Sequence, residues 1–135
     1  MKRVIETDKA PAAIGPYSQA VRRSEWLFLS GQIGLDPSTG ELVPGGVVAE
    51  AARVLENLRG VLAAAGASLD DVVRTTIYLI DLADFSRVNE VYAKCFQAPF
   101  PARATVGVAA LPRGARVEID AIAMIAEGPD EGLGA

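Results

Sequence analysis

Between Val47 and Ala65, apolar residues recur at spacings of three and four: Val47, Ala51, Val54, Leu55, Leu58, Val61, Leu62 and Ala65. Glu50, Arg53, Glu56 and Arg59 fall on the complementary face. That period is an α-helix with a single apolar stripe, and Gly66 stands where a C-terminal cap is expected. A helix with one face to bury needs a surface to lie on, and the other apolar runs supply it as strands. These runs are Arg3 to Glu6, Ser18 to Arg22, Trp26 to Ser30, Val72 to Ile80, Arg103 to Ala109 and Arg116 to Ile125.

Arg23-Ser24-Glu25 reads as a hairpin turn, Ala10 to Pro16 as an ordered loop and Asp36 to Gly40 as a tight turn. Val72 to Ile80 is β-branched and apolar on both faces, which predicts a central strand covered on both sides. Asp81 is a candidate N-cap for a second helix whose buried stripe is Leu82, Phe85, Val88, Tyr92, Cys95 and Phe96. On this reading Cys95 is a small buried hydrophobe. In the last run Val117, Ile119, Ala121, Ala123 and Ile125 alternate with Arg116, Glu118 and Asp120, so three charged groups share one face. The order β-β-β-α-β-α-β-β predicts an α+β domain with both helices on one face of a sheet. It also predicts that Arg103 and Glu118 sit on neighbouring strands. Trp26, Phe28, Tyr78 and Ile122 are candidates for the second sheet face, whose exposure calls for a partner copy.

The chain of 135 residues suits one domain, assigned to 1–126, with a Gly/Pro/acid-rich tail over 127–135 that is expected to be solvated. Its histidine count of zero excludes Ser-His-Asp and Cys-His catalysis and any histidine-bearing zinc site. A single cysteine makes no internal disulfide, in keeping with a reducing compartment. The start at Met1-Lys2-Arg3 is followed by no signal-peptide apolar run, and no stretch approaches a membrane span, so a cytoplasmic location is expected. A net charge of -4 and a pI near 4.8 argue against nucleic acid as a partner.

Four blocks of the sequence carry a resemblance. They are Ala10 to Gln19, which contains Gly15-Pro16-Tyr17; Ser30-Gly31-Gln32-Ile33; Pro101-Ala102-Arg103-Ala104-Thr105-Val106; and Val117-Glu118-Ile119-Asp120-Ala121-Ile122-Ala123. In order and near-spacing, from about Ile5 to Ile125, they resemble the signature blocks of the reactive-intermediate deaminase family, RidA (YjgF/YER057c/UK114). The resemblance implies a chorismate-mutase-like (bacillus type) α+β fold. It implies a homotrimer with clefts between subunits, and hydrolysis of 2-imino or enamine acids to 2-oxo acids and ammonia. It also implies that no metal and no organic cofactor takes part.

Arg103 and Glu118 are the candidate catalytic residues. A guanidinium grips a carboxylate through two parallel charge-assisted hydrogen bonds of about 1.5–3 kcal/mol each, and the family assigns that role to this arginine. Imine hydrolysis needs a water delivered to carbon and a proton delivered to nitrogen, which a placed carboxylate can relay; the family puts its glutamate at position 118. Substrate-binding candidates are Tyr17, Ser30, Gly31, Asn89 and Thr105. Gly31 lacks a Cβ, so its backbone amide can approach an oxygen closely. Thr105 stands where many relatives carry cysteine, which removes a thiol mechanism there. Asp120 is structural by default. The cleft walls are expected to include Tyr17, Phe85 and Gln97-Ala98-Pro99. Two other classes compete: a non-catalytic module for small carboxylates, which would need Arg103 and Gly31 but not Glu118, and an endoribonuclease.

Overall fold

The helix predicted by the three-four spacing forms as α1, Val47–Ala64. It ends as the sequence requires: Gly66 adopts φ 76°, its N–H bonds the Ala63 carbonyl at 3.0 Å, and the Ala67 N–H bonds Leu62 at 2.9 Å. Glycine takes this left-handed turn without a Cβ penalty. The computed structural model describes residues 1–126, and the tail assigned to 127–135 lies outside them.

The strands are β1 (Arg3–Ile5), β2 (Ala20–Arg23), β3 (Trp26–Gln32), β4 (Val72–Leu79), β5 (Ala102–Gly107) and β6 (Val117–Met124); the second helix, α2, spans Phe85–Cys95. They form a mixed six-stranded sheet in the order β1-β2-β3-β6-β4-β5, antiparallel except for the β4–β5 pair. The result is a single α+β domain with both helices on one face. Between sheet and helices lie the fully buried Leu27, Leu55, Leu58, Leu62, Ile77, Leu79 and Ile119. Each contributes about 1.5–3 kcal/mol through removal from water.

Four expectations change. First, Arg103 and Glu118 are not on neighbouring strands, because β4 lies between β5 and β6. The β4–α2–β5 connection is a parallel crossover, which carries β5 to the sheet edge and leaves the inner flank of β4 to β6. Second, β4 is covered on one face only: Thr75, Ile77 and Leu79 are buried, whereas Thr76 and Tyr78 stay partly open. Third, Glu50, assigned to the polar face of α1, is 3% exposed. Fourth, Leu82 is 56% exposed and outside the buried stripe, since Asp81 caps a separate 3-10 turn at 82–84, accepting from the Ala83 N–H at 2.9 Å. Val88, Tyr92 and Phe96 of that stripe are buried, and Phe85 and Cys95 pack half-buried against the core.

The face away from the helices carries Trp26, Phe28, Thr76, Tyr78, Glu118, Asp120 and Ile122 in register. Trp26 and Phe28 are 43% and 45% exposed, and their rings stack with centroids 6.2 Å apart. No helix among the described residues is long and apolar enough to cross a membrane.

Candidate active site

The candidate residues fall into two half-sites on opposite faces of the sheet. Arg103 pairs with Thr75 across β4–β5 and so projects on the helix side. Its guanidinium carbon lies 4.8 Å from the centre of the Tyr92 ring and 5.4 Å from that of Phe85. Its Nη1 donates to Asn89 Oδ1 at 2.8 Å. Two aromatic faces and an amide oxygen thus hold the cation in one orientation without neutralising it. Among the described residues no carboxylate pairs with Arg103. The Tyr92 ring is itself fixed, its hydroxyl 2.8 Å from Thr75 Oγ1 in the core, and burial holds its phenol above the usual range and therefore neutral. Asn89, Tyr92, Phe100, Pro101 and Arg103 line a cleft of about 440 Å³. Thr105, paired with Ile77, shares the face of Arg103 two residues along.

Glu118 leaves β6 on the other face and lines a second cleft, about 640 Å³, together with Tyr17, Ser30, Gly31, Ile33 and Arg113. The β3–β6 register shifts between Leu29 and Gln32, so Ser30 and Gly31 form a bulge opposite Asp120. The Glu118 carboxylate occupies the space of a side chain that Gly31 does not have: a Cβ there would meet Oε2 at 2.1 Å. The missing side chain at position 31 is thus what leaves room for the Glu118 carboxylate. Burial, and then the negative Asp120, push the Glu118 carboxyl above its usual range. Asp120 is held by the Tyr78 hydroxyl, which donates to its Oδ2 at 2.9 Å. That carboxylate in turn raises the Tyr78 phenol, chiefly through the hydrogen bond.

The loop before β2 forms the outer wall. Tyr17 is 54% exposed at the cleft, and its N–H bonds the Gly15 carbonyl at 2.9 Å in a turn where Gly15 takes φ 112°. Ser30 Oγ donates to the Ser18 carbonyl at 2.6 Å, tying that wall to the bulge. Buried Gln19 organises the preceding segment: its Nε2 donates to the carbonyls of Thr7, Ala10 and Pro11, and its Oε1 accepts from the Thr7 N–H at 2.8 Å. The Gln97-Ala98-Pro99 segment, expected as a wall, borders instead a separate hollow of about 180 Å³ with Leu69, Asp70 and Phe96.

The sequence placed all of these candidates at one site; the structure gathers Tyr17, Ser30, Gly31 and Glu118 around one cleft and Asn89 and Arg103 around another. The sequence reading missed Arg113, which lines the Glu118 cleft with φ 60° and donates from Nη2 to the Gly40 carbonyl at 3.1 Å. Nothing local marks a lone arginine in a Pro-Arg-Gly turn as a cleft residue. Chemically, the first half-site offers an uncompensated, oriented cation for a small carboxylate. The second offers a half-buried carboxyl able to hold water and exchange a proton.

A family profile described as Endoribonuclease L-PSP matches residues 7–125. The mouse protein named 2-iminobutanoate/2-iminopropanoate deaminase is 58% identical over 129 residues, covering 96% of this chain and 94% of its own. The crystal structure of RidA from the Antarctic bacterium Psychrobacter is similar with a TM-score of 0.88 and 50% identity, over 91% of this chain and 99% of that one. Escherichia coli TdcF, solved with bound serine, gives a TM-score of 0.88 at 44% identity, over 92% and 99% of the two chains.

Proposed function

The chain belongs to the endoribonuclease L-PSP family, in which the RidA deaminases fall, and on that footing we propose that it hydrolyses small 2-imino and enamine acids to 2-oxo acids and ammonia. The observation that carries the reading is the pair of half-sites: an oriented, unneutralised Arg103 and a half-buried Glu118 whose proton affinity is raised. A mouse relative named for this reaction supports it. So does a relative solved with serine, a small molecule carrying the same carboxylate.

In this mechanism Arg103 binds the substrate carboxylate as a two-pronged donor, with Asn89 holding the guanidinium in plane. Glu118 accepts a proton from water as the water oxygen bonds to the imine carbon. The same carboxyl returns that proton to nitrogen, giving a carbinolamine, and then carries the hydroxyl proton to nitrogen as well, so that the C–N bond breaks, ammonia leaves and the C–O bond becomes the carbonyl of the 2-oxo acid. A carboxyl whose proton affinity is raised by burial and by Asp120 takes a proton more readily than an ordinary carboxylate and can still return it.

Because the two half-sites project from opposite faces with β4 between them, one chain does not present both to one small molecule. The proposed enzyme is a homotrimer in which the Arg103 half-site of each copy meets the Glu118 half-site of the next. This is a head-to-tail contact that closes as a ring and covers Trp26 and Phe28. It acts in the cytoplasm.

The test is a coupled assay. An amino-acid oxidase generates imines from a panel of amino acids, and 2-oxo acid release is timed with and without the protein. Acceleration for short aliphatic imines is expected; no acceleration for any imine would overturn the reading. The profile's own description favours RNA cleavage as the second reading, against the acidic charge of -4. Cleavage that survives Arg103→Ala would assign it to another site.

A further inference from the structure

Two polar side chains of α1 are buried although neither lines a cleft: Glu50 at 3% exposure and Asn57 at 0%. Seven residues apart, they point from the same side of the helix. Glu50 Oε1 accepts the backbone N–H of Arg116 at 2.8 Å. The Arg116 carbonyl accepts from the Ile80 N–H at 3.2 Å, so both peptide groups flanking this residue are clamped. Glu118 follows two residues later, on the strand that Arg116 leads into. Asn57 Nδ2 donates to the carbonyls of Ile33 and Leu35 at 3.2 and 3.0 Å, and both residues line the Glu118 cleft. Arg53 Nε fixes the Asn57 amide by donating to its Oδ1 at 3.0 Å. Gly34 lets the same wall close on the helix, since a Cβ there would lie 2.9 Å from Glu50 Cα.

We infer that Glu50 is a positioning residue for Glu118, and that with Asn57 it makes the first turns of α1 the frame that sets the two walls of the cleft. A buried carboxylate is a costly way to satisfy one amide, and an apolar side chain would pack the same helix on the same sheet. What the carboxylate adds is a directional hold on the segment that enters β6 at its catalytic end. Errors near 1 Å in the placement of a reacting group cost about 100-fold in rate. The inference rests on the deaminase reading for its kinetic consequence, but the contact itself does not.

The experiment compares wild type with Glu50→Gln and Glu50→Ala, with rates expressed per folded, assembled protein. The carboxamide oxygen of glutamine can still accept the Arg116 N–H, so Glu50→Gln should keep kcat within about threefold. Glu50→Ala should lower kcat about 10- to 100-fold while KM changes little, because the Arg103 half-site is untouched. A Glu50→Ala enzyme that is less stable but has the wild-type kcat would overturn the inference, leaving Glu50 a structural staple. Should Glu50→Ala not fold, amide hydrogen exchange decides. In Glu50→Asp, one methylene short, the Arg116 N–H should exchange at least about tenfold faster than in wild type, and equal rates overturn the inference. If wild type hydrolyses no imine, the proposed function fails while the exchange measurement still reports on the Glu50 contact.

Discussion

Gly31 and Glu118 share one volume: the glutamate Oε2 sits 2.1 Å from where a Cβ on Gly31 would be. The backbone at Gly31 is in no left-handed region, so alanine is sterically allowed there apart from this one clash. Gly31→Ala should therefore swing the flexible end of Glu118 aside and leave the fold intact. We expect kcat/KM to fall at least about tenfold with the melting temperature nearly unchanged, measured by steady-state kinetics and a thermal melt of the same sample. An alanine variant with full activity would show that this placement of the carboxylate is not used.

Glu118→Gln separates charge from shape. Burial and then Asp120 raise the Glu118 carboxyl above its ordinary value of 4.5, so the folded chain binds its proton more tightly than the unfolded chain does. Its contribution to stability is complete below about pH 4.5 and is lost as pH rises through the raised value. Glutamine carries no such penalty. The variant should match wild type in thermal stability at pH 4 and exceed it at pH 7 to 8, with activity down about 10²- to 10⁴-fold. A stability difference independent of pH would refute the assignment.

Arg103→Lys keeps the positive charge but loses the planar fork and the donation to Asn89 Oδ1. KM should rise about tenfold in the lysine variant and more in Arg103→Ala, with Asn89→Ala falling between wild type and lysine. A lysine variant with wild-type KM would mean that a point charge suffices and that the orientation by Phe85, Asn89 and Tyr92 serves only packing.

Phe28→Glu places a charge on the open sheet face beside exposed Trp26. If that face joins copies, the variant should elute as a monomer and lose imine hydrolysis together, because each cleft then lacks its complementary half-site. Light scattering coupled to activity across the elution profile checks this, and a fully active monomer would contradict the composite site.

The local pattern along the chain was enough for α1, its Gly66 cap, the alternation of β6 and the stripe at Val88, Tyr92 and Phe96. Each depends on a few residues' spacing, and burial of a periodic stripe leaves one solution. The short blocks at Tyr17, Ser30-Gly31, Arg103 and Glu118 carried the family resemblance, and the profile match over residues 7–125 bears that family out. Long-range pairing decided the rest. That β6 inserts between β3 and β4, separating Arg103 from Glu118 by a strand and by a face, follows from the parallel crossover, to which no single segment testifies. The burial of Glu50 and Asn57 depends on which backbone groups the folded sheet brings to α1, partners 66 and 24 residues distant in the chain. A charged residue on a helix is polar by type, but whether it meets water or an amide is settled only when the other elements have been placed around it.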